Sequence, residues 1–357
     1  MKARRRLLNL IKYFVLVLPV LAVGCGREYP QSTIDPVTSD FGPAIQDLYM
    51  TVFWWTMVIL AVVWGVLAYV LIKYRARPGG PAPQKTRGHL GLEIGWTAGA
   101  AIIVVLITIP TVQTVFRTQA APAEDALVVE VVGRQWWWEF HYPADEVTTA
   151  NELHLPVGRP VDLHLRSGDV IHSFWVPRLG GKRDLNPWVR EPDGSGPRVN
   201  RLALTVAEAG IYYGQCAEFC GPSHGLMGLR VVAESEGDFQ EWLRRMRTPV
   251  APDSGSLADD GREVFMRSTC VACHAIDGTN ARGALGPNLT RIGARTTIGA
   301  GLLENTTDNL VAWIRDPSAL KPGVKMPGIA TGGGGFPATG LSEEELAVVA
   351  AYLSSLK

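Results

Sequence analysis

"CAEFCGPSHGLM", residues 216–227, places two cysteines, a histidine, a methionine and a glutamate within twelve positions of a 357-residue chain that has only five cysteines. Such a density of soft donors asks for a metal. A mononuclear blue-copper site takes two His, one Cys and a weak Met. The extra thiolate changes the count, because Cys216 and Cys220 can both bridge two copper ions. Each copper then needs one His, and Met227 plus one further oxygen complete the set. His224 and Met227 follow at loop spacing, so the second His has to come from another strand end. A Cys216–Cys220 disulfide, permitted outside the cytoplasm, and a zinc Cys2His2 site compete for the same side chains. Neither gives Met227 a task, and thiolate with thioether favours copper.

Seven histidines are available. His154 and His164 alternate with apolar neighbours and read as polar-face strand residues. His141, in "EFHYP" (139–143), reads as a surface strand residue, and His89 lies in a loop between two apolar stretches. His172, in "GDVIHSFWVP" (168–177), ends a strand between apolar residues and suits a buried ligand best. His274 belongs to a different motif.

That motif is "CVACH", Cys270 to His274, the attachment sequence for c-type haem. On one helical turn, positions i, i+3 and i+4 share a face, so two sulfurs reach two vinyl groups while His274 meets the iron. A redox Cys-x-x-Cys needs a βαβ setting that is missing, and zinc needs a second ligand pair absent after His274. The opposite haem face must be filled from a distant segment. Met326, in "KPGVKMPG" (321–328), is placed to do so, and a Met/His pair raises the reduction potential toward that of an electron carrier.

The surrounding chain divides into segments. Residues 1–24 pair basic residues with an apolar run of 14 residues, Tyr13 to Gly26, too short to span a bilayer, and read as a signal peptide. Its end, "LAVGC", is similar to a lipoprotein cleavage site and would leave Cys25 as a lipid anchor; the alternative is an uncleaved anchor with an idle thiol. Within residues 25–120, two uncharged stretches of 25 and 23 residues, 48–72 and 94–116, are long enough to cross as helices. Tyr49, Trp54 and Trp55 at one end of the first, with Tyr69 and Tyr74 at the other, fit interfacial belts. Lys73, Arg75, Arg77, Lys85 and Arg87 place the connecting loop in the cytoplasm and everything after Arg117 outside. Residues 121–247 carry β-rich runs at 127–132, 160–165 and 201–206, a small sandwich or barrel. A helix bearing Phe239, Trp242, Leu243 and Met246 closes that domain. A linker, 248–256, leads to a helical region, 257–357, ending in a helix that Ser342 and Glu345 open as a capping box. Net charge is zero, with 34 basic and 34 acidic residues, so nucleic acid is not an expected partner.

With these motifs in place the chain resembles two families. Residues 257–357 are similar to class I cytochrome c, through "CVACH", "GPNL" around Pro287, whose carbonyl would hold the haem-ligating His, and the closing helix. Cys216, Glu218, Cys220, His224 and Met227 resemble the CuA loop of cytochrome c oxidase subunit II, and His172 its upstream ligand. The resemblance implies a multidomain membrane protein: a two-helix transmembrane hairpin, an all-β cupredoxin-like domain and an all-α class I cytochrome c domain. It implies that Glu218 gives its backbone carbonyl to copper and its side chain to a magnesium site shared with subunit I. It implies that Trp136, in "GRQWWWEF" (133–140), receives electrons, and that Glu93, in "LEIGWT", opens a proton pathway, although an anchoring acid at a helix end would look the same. For Trp137 and Trp138, ordinary packing is at least as good a reading. The chain departs from the family in "LNPWVREPDGSGP", 185–197, longer than the usual connection.

The implied function is electron transfer in a respiratory haem-copper oxidase of the bacterial inner membrane. Electrons from an external cytochrome c or a cytochrome bc1-type complex would pass through haem c and CuA to the haem of subunit I, with subunit III as a further partner. A copper-containing nitric oxide reductase subunit and a free electron-transfer or copper-handling protein are the competing readings. A quinol oxidase subunit shares the scaffold without these copper ligands.

Overall fold

The computed structural model describes residues 38–76, 78–80, 88–119, 121–187, 194, 198–248, 250 and 256–357. The expected signal segment, Cys25 and most of the 185–197 insertion lie outside the described residues.

Two long helices come first, α1 (Phe41–Lys73) and α2 (Leu90–Thr118), packed on each other. None of the most apolar stretch of either helix is buried inside the protein. Side chains such as Trp54, Trp64, Ile72 and Val104 are largely exposed. A surface of that kind is unfavourable in water and suited to lipid. Both helices outrun the expected spans, and the reason for α1 is local. Its first turn belongs to the β domain: Phe41 and Ala44 are buried. The Asp40 N–H donates to Thr205 O, the Asp40 carboxylate accepts from Thr205 N at 3.0 Å, and Ser39 bridges Val206. The hairpin is thereby sewn to a sheet edge.

The middle of the chain is a sandwich of two five-stranded sheets. One has the order β3 (Val147–Ala150), β2 (Trp137–Tyr142), β1 (Leu127–Arg134), β5 (Pro160–Ser167), β8 (Asn200–Thr205). The other runs β4 (Glu152–Pro156), β10 (Gly228–Glu234), β9 (Gly210–Cys216), β6 (His172–Trp175), β7 (Arg183–Leu185). The β1–β5 and β4–β10 pairs are parallel and the others antiparallel. Alternation along β2 buries Trp138, Phe140 and Tyr142, which meet Phe174, Leu163 and Leu153 in one core. Full burial of one such side chain contributes roughly 1.5–3 kcal/mol. Helix α3 (Glu236–Arg247), capped by Ser235 on Asp238 N, lays Phe239, Trp242 and Leu243 on the end of this core, with Met246 at its margin.

The C-terminal unit has its own core. Helices α4 (Ser256–Arg267) and α8 (Glu343–Ser355) cross so closely that a Cβ at Gly261 would lie 2.0 Å from Val348 O. The expected capping box is present: Glu345 N donates to Ser342 Oγ at 3.1 Å and Ser342 N donates to Glu345 Oε2 at 2.9 Å. Between them lie α5 (Cys270–Cys273), a two-residue ladder of β11 (Thr297–Ile298) and β12 (Leu303–Glu304), α6 (Thr307–Arg315) and α7 (Pro317–Leu320).

Candidate metal and haem centres

Strand pairing assembles the first site. Phe174 is opposite Cys216 across β6 and β9, so His172 at the start of β6 comes beside the end of β9. The loop 217–227 then folds back through a short 3₁₀ turn, His224–Leu226, before β10 begins at Gly228. Six donor groups converge. Cys216 Sγ lies 3.8 Å from Cys220 Sγ, 3.9 Å from His172 Nδ1 and 3.2 Å from the Glu218 carbonyl oxygen. Cys220 Sγ lies 3.6 Å from His224 Nδ1 and 3.8 Å from Met227 Sδ. His172, Cys216, Cys220 and Met227 are buried; His224 is partly open, edge-on to Phe219.

The donor chemistry tests what this cluster can hold. Both cysteines are free, and their separation is far from the roughly 2.05 Å of a disulfide. The contact with Cys220 draws Cys216 well below the ordinary thiol pKa, while that contact, burial and the neighbouring charge push Cys220 well above it. Two buried sulfurs at this spacing cannot both ionise alone; positive charge between them removes the conflict. Two thiolates, two imidazoles, a thioether and a carbonyl suit copper, and zinc has no need of the last two. His172, Cys216 and Cys220 offer ligand atoms all within 4.8 Å of one another, a fit for copper.

Asp169 aims His172. Its carboxylate accepts from His172 Nε2 at 2.8 Å, from Gln135 N at 2.8 Å and from Val170 N at 2.7 Å. Burial opposes ionisation of Asp169, but these hydrogen bonds outweigh it and hold the carboxyl below its usual range. The same bond fixes the ring with Nδ1 toward the sulfurs. Gly133 leaves room for that ring, since a Cβ there would lie 2.9 Å from His172 Cδ2. The sequence reading missed Asp169, although an acid three residues before a candidate ligand was a usable signal.

The other histidines are engaged elsewhere: His154 with Glu234 and stacked on Trp242, His164 with Asp162, His141 with Thr148. Trp136 is 5% exposed and donates from Nε1 to the Cys220 carbonyl at 3.0 Å, beside a second donor, Gln135 Nε2, at 2.8 Å. Trp138 is core, edge-on to Phe174. Glu93 is exposed in the first turn of α2, and the Glu218 side chain is partly exposed.

In the C-terminal unit, Cys270, Cys273 and His274 occupy one turn. His274 Nδ1 meets Pro287 O at 2.8 Å, which leaves Nε2 free, and burial pushes the ring below the usual histidine pKa, keeping that nitrogen unprotonated. Gly286 makes this possible, because a Cβ there would lie 2.6 Å from His274 Cε1. Cys270, Val271, Met326 and Ile329 are each half-buried against the same core. Free thiols three apart, an oriented imidazole and a thioether on one apolar core fit covalent haem.

Fold and donor set define a class: a membrane-anchored cupredoxin-like protein carrying a fused cytochrome c domain. Family profiles agree segment by segment. "Cytochrome C oxidase subunit II, transmembrane domain" matches residues 31–114, the periplasmic domain of the same family 144–235, and "Cytochrome c" 258–357. Cytochrome c oxidase subunit 2 of Alkalihalophilus pseudofirmus is 35% identical over 350 residues, covering 95% of each chain. That of Bacillus subtilis is 34% identical over 375 residues, covering 98% of this chain and 99% of the relative. Among solved structures, the periplasmic domain of subunit II of cytochrome oxidase from Bradyrhizobium japonicum is 26% identical, covers 36% of this chain and 97% of that one, and has a TM-score of 0.32. The chain belongs to the cytochrome c oxidase subunit II family, a component of haem-copper oxidases.

Proposed function

We propose that this chain is the electron-receiving subunit of a respiratory cytochrome c oxidase, with its own haem domain as immediate donor to a binuclear copper centre. The observation that carries the reading is the pair of free, buried thiols 3.8 Å apart, each faced by one imidazole Nδ1. His172, Cys216, the Glu218 carbonyl, Cys220, His224 and Met227 hold CuA; Cys270, Cys273, His274 and Met326 hold haem c. When bound, these groups supply one-electron transfer from haem c through CuA toward the haem of subunit I, where oxygen is reduced.

The chain's own residues set the conditions for that transfer. The burial of Cys216, Cys220 and Met227 excludes water, which limits reorganisation around the sulfurs. Asp169 and Pro287 O each hold one imidazole in a single orientation. Trp136 touches the copper loop through the Cys220 carbonyl and is the residue where electrons come in. The Glu218 side chain contributes to a magnesium site at the subunit I boundary, and Glu93 opens a proton pathway. Subunit I, subunit III and an external cytochrome c or bc1-type donor are the partners. The hairpin crosses the inner membrane with its connecting loop in the cytoplasm and both redox domains outside, behind a signal peptide that leaves Cys25 lipidated. The nitric oxide reductase reading draws no support from the relatives, whose names are those of oxidases.

Purification of the native membrane complex tests this. Two coppers and one covalent haem per copy of this chain are expected, with oxygen uptake fed by reduced cytochrome c and a mixed-valence copper signal that Cys216→Ser abolishes. A single copper, zinc in its place, or a signal surviving Cys216→Ser overturns it.

A further inference from the structure

The haem domain is fastened to the copper domain by side chains that each domain buries in the other. Glu152, at the start of β4, is 3% exposed although it is an acid. Its Oε1 accepts from Thr296 N at 2.8 Å, Thr296 Oγ1 at 2.6 Å, Thr297 N at 2.8 Å and Thr297 Oγ1 at 3.1 Å, all in the haem domain. Its charge also favours the charged form of Arg295, a partly buried guanidinium whose pKa desolvation lowers to about 10. In the other direction, Lys321 leaves the haem domain and is 2% exposed. Its Nζ donates to Trp136 O at 2.7 Å and to Gly299 O at 2.8 Å.

Backbone fit accompanies these bonds. Buried Ser223 donates from Oγ to Pro322 O at 2.6 Å. The Trp136 indole is bounded by two glycines, one per domain: a Cβ at Gly221 would lie 3.0 Å from Cζ2, and one at Gly323 3.0 Å from Cη2. Both have positive φ, +116° and +80°, where a side chain would be strained. The segment Lys321–Gly323 therefore sits against Trp136, and Met326 follows three residues later.

A buried carboxylate and a buried amine are costly unless every partner is in place. A domain that merely swung on its linker would gain nothing from either. We propose that Glu152 and Lys321 form a reciprocal latch that seats the haem domain on Trp136 and holds it against the copper domain as a resident donor. The proposal rests on the copper and haem reading above.

Hydrogen exchange on the full chain in detergent, loaded with copper and haem, tests it, with metal and haem contents measured in parallel so that a failure of the cofactor reading is seen separately. Glu152→Gln removes the charge and, with its oxygen left on the four threonine donors, turns its NH2 against Thr296 N, from which Oε2 accepts at 3.1 Å; Lys321→Met keeps the length of the side chain while stranding two carbonyls. Lys321→Met is expected to speed exchange at least about tenfold at 136–138 and 221–224 in the copper domain, and Glu152→Gln to do so at 296–299 in the haem domain. Exchange in α8 and in the β1–β5 pair stays unchanged. Loosening confined to the domain that carries the substitution, or no loosening, overturns the latch. Gly323→Ala, which drives a methyl group into the Trp136 ring, supplies an independent variant and must loosen 136–138 as well.

Discussion

Replacing Asp169 by Asn isolates the role of one carboxylate behind a proposed copper ligand. The asparagine side chain is nearly isosteric, but one carboxylate oxygen accepts from His172 Nε2 and the other from Gln135 N, each at 2.8 Å, so its NH2 group must face one of these donors. Either the bond to His172 is lost directly, or the clash of NH2 with Gln135 N–H turns the amide away from the ring. The carboxylate is 23% exposed, which leaves it only partly screened. A hydrogen bond to a charged group is worth about 1.5–3 kcal/mol. Loss of a partner behind a ligating histidine typically costs 10- to 100-fold in metal affinity, about 1.4–2.7 kcal/mol, and the two ranges agree. Copper competition against a chelator, on the full chain in detergent, should show affinity weakened about 10- to 100-fold with haem content unchanged. The mixed-valence spectrum should change shape as His172 loses its fixed orientation. Wild-type affinity in Asp169→Asn would refute the reasoning that this hydrogen bond orients the ligand.

Three further outcomes follow from the geometry. Met326→Ala should leave haem covalently attached while lowering its reduction potential in a redox titration, and an unchanged potential would mean a different axial ligand. Gly286→Ala places a methyl group 2.6 Å from the His274 ring and should reduce haem incorporation, read from the pyridine haemochrome spectrum of purified protein. Burial pushes the Lys321 amine down to about 7 from the ordinary 10.5, with the Cys220 sulfur acting in the opposite sense. The docked value is the lower one, so docking releases a proton: the penalty is complete below about 7 and is relieved as pH rises toward 10.5. Protection of residues 296–299 against hydrogen exchange should therefore strengthen over that window, after correction for intrinsic rates, and Lys321→Met should remove the dependence.

Much of this protein is written in local pattern. Two uncharged runs longer than 20 residues can satisfy their backbones in lipid only as helices, and the outer faces of α1 and α2 are accordingly open. Cys270, Cys273 and His274 share a turn because helical periodicity puts i, i+3 and i+4 on one face, and Ser342 with Glu345 caps α8 by the same local logic. Cys216 to Met227 lie on one loop, so five of the six donors are close before any folding is considered. His172 was legible only as the histidine whose place, at a strand end between apolar residues, best suits a buried ligand once the others were weighed.

What joins distant segments required the tertiary structure. The pairing of β6 with β9 carries His172 to Cys216 across 44 positions of sequence, and Asp169 gains its meaning only once that ring has a direction. Glu152 and Lys321 look like ordinary surface charges in the sequence, because nothing local predicts that an acid or an amine will be buried. Only the docked domains provide Thr296, Thr297 and the Trp136 carbonyl as partners, and without partners of that kind neither group could leave water.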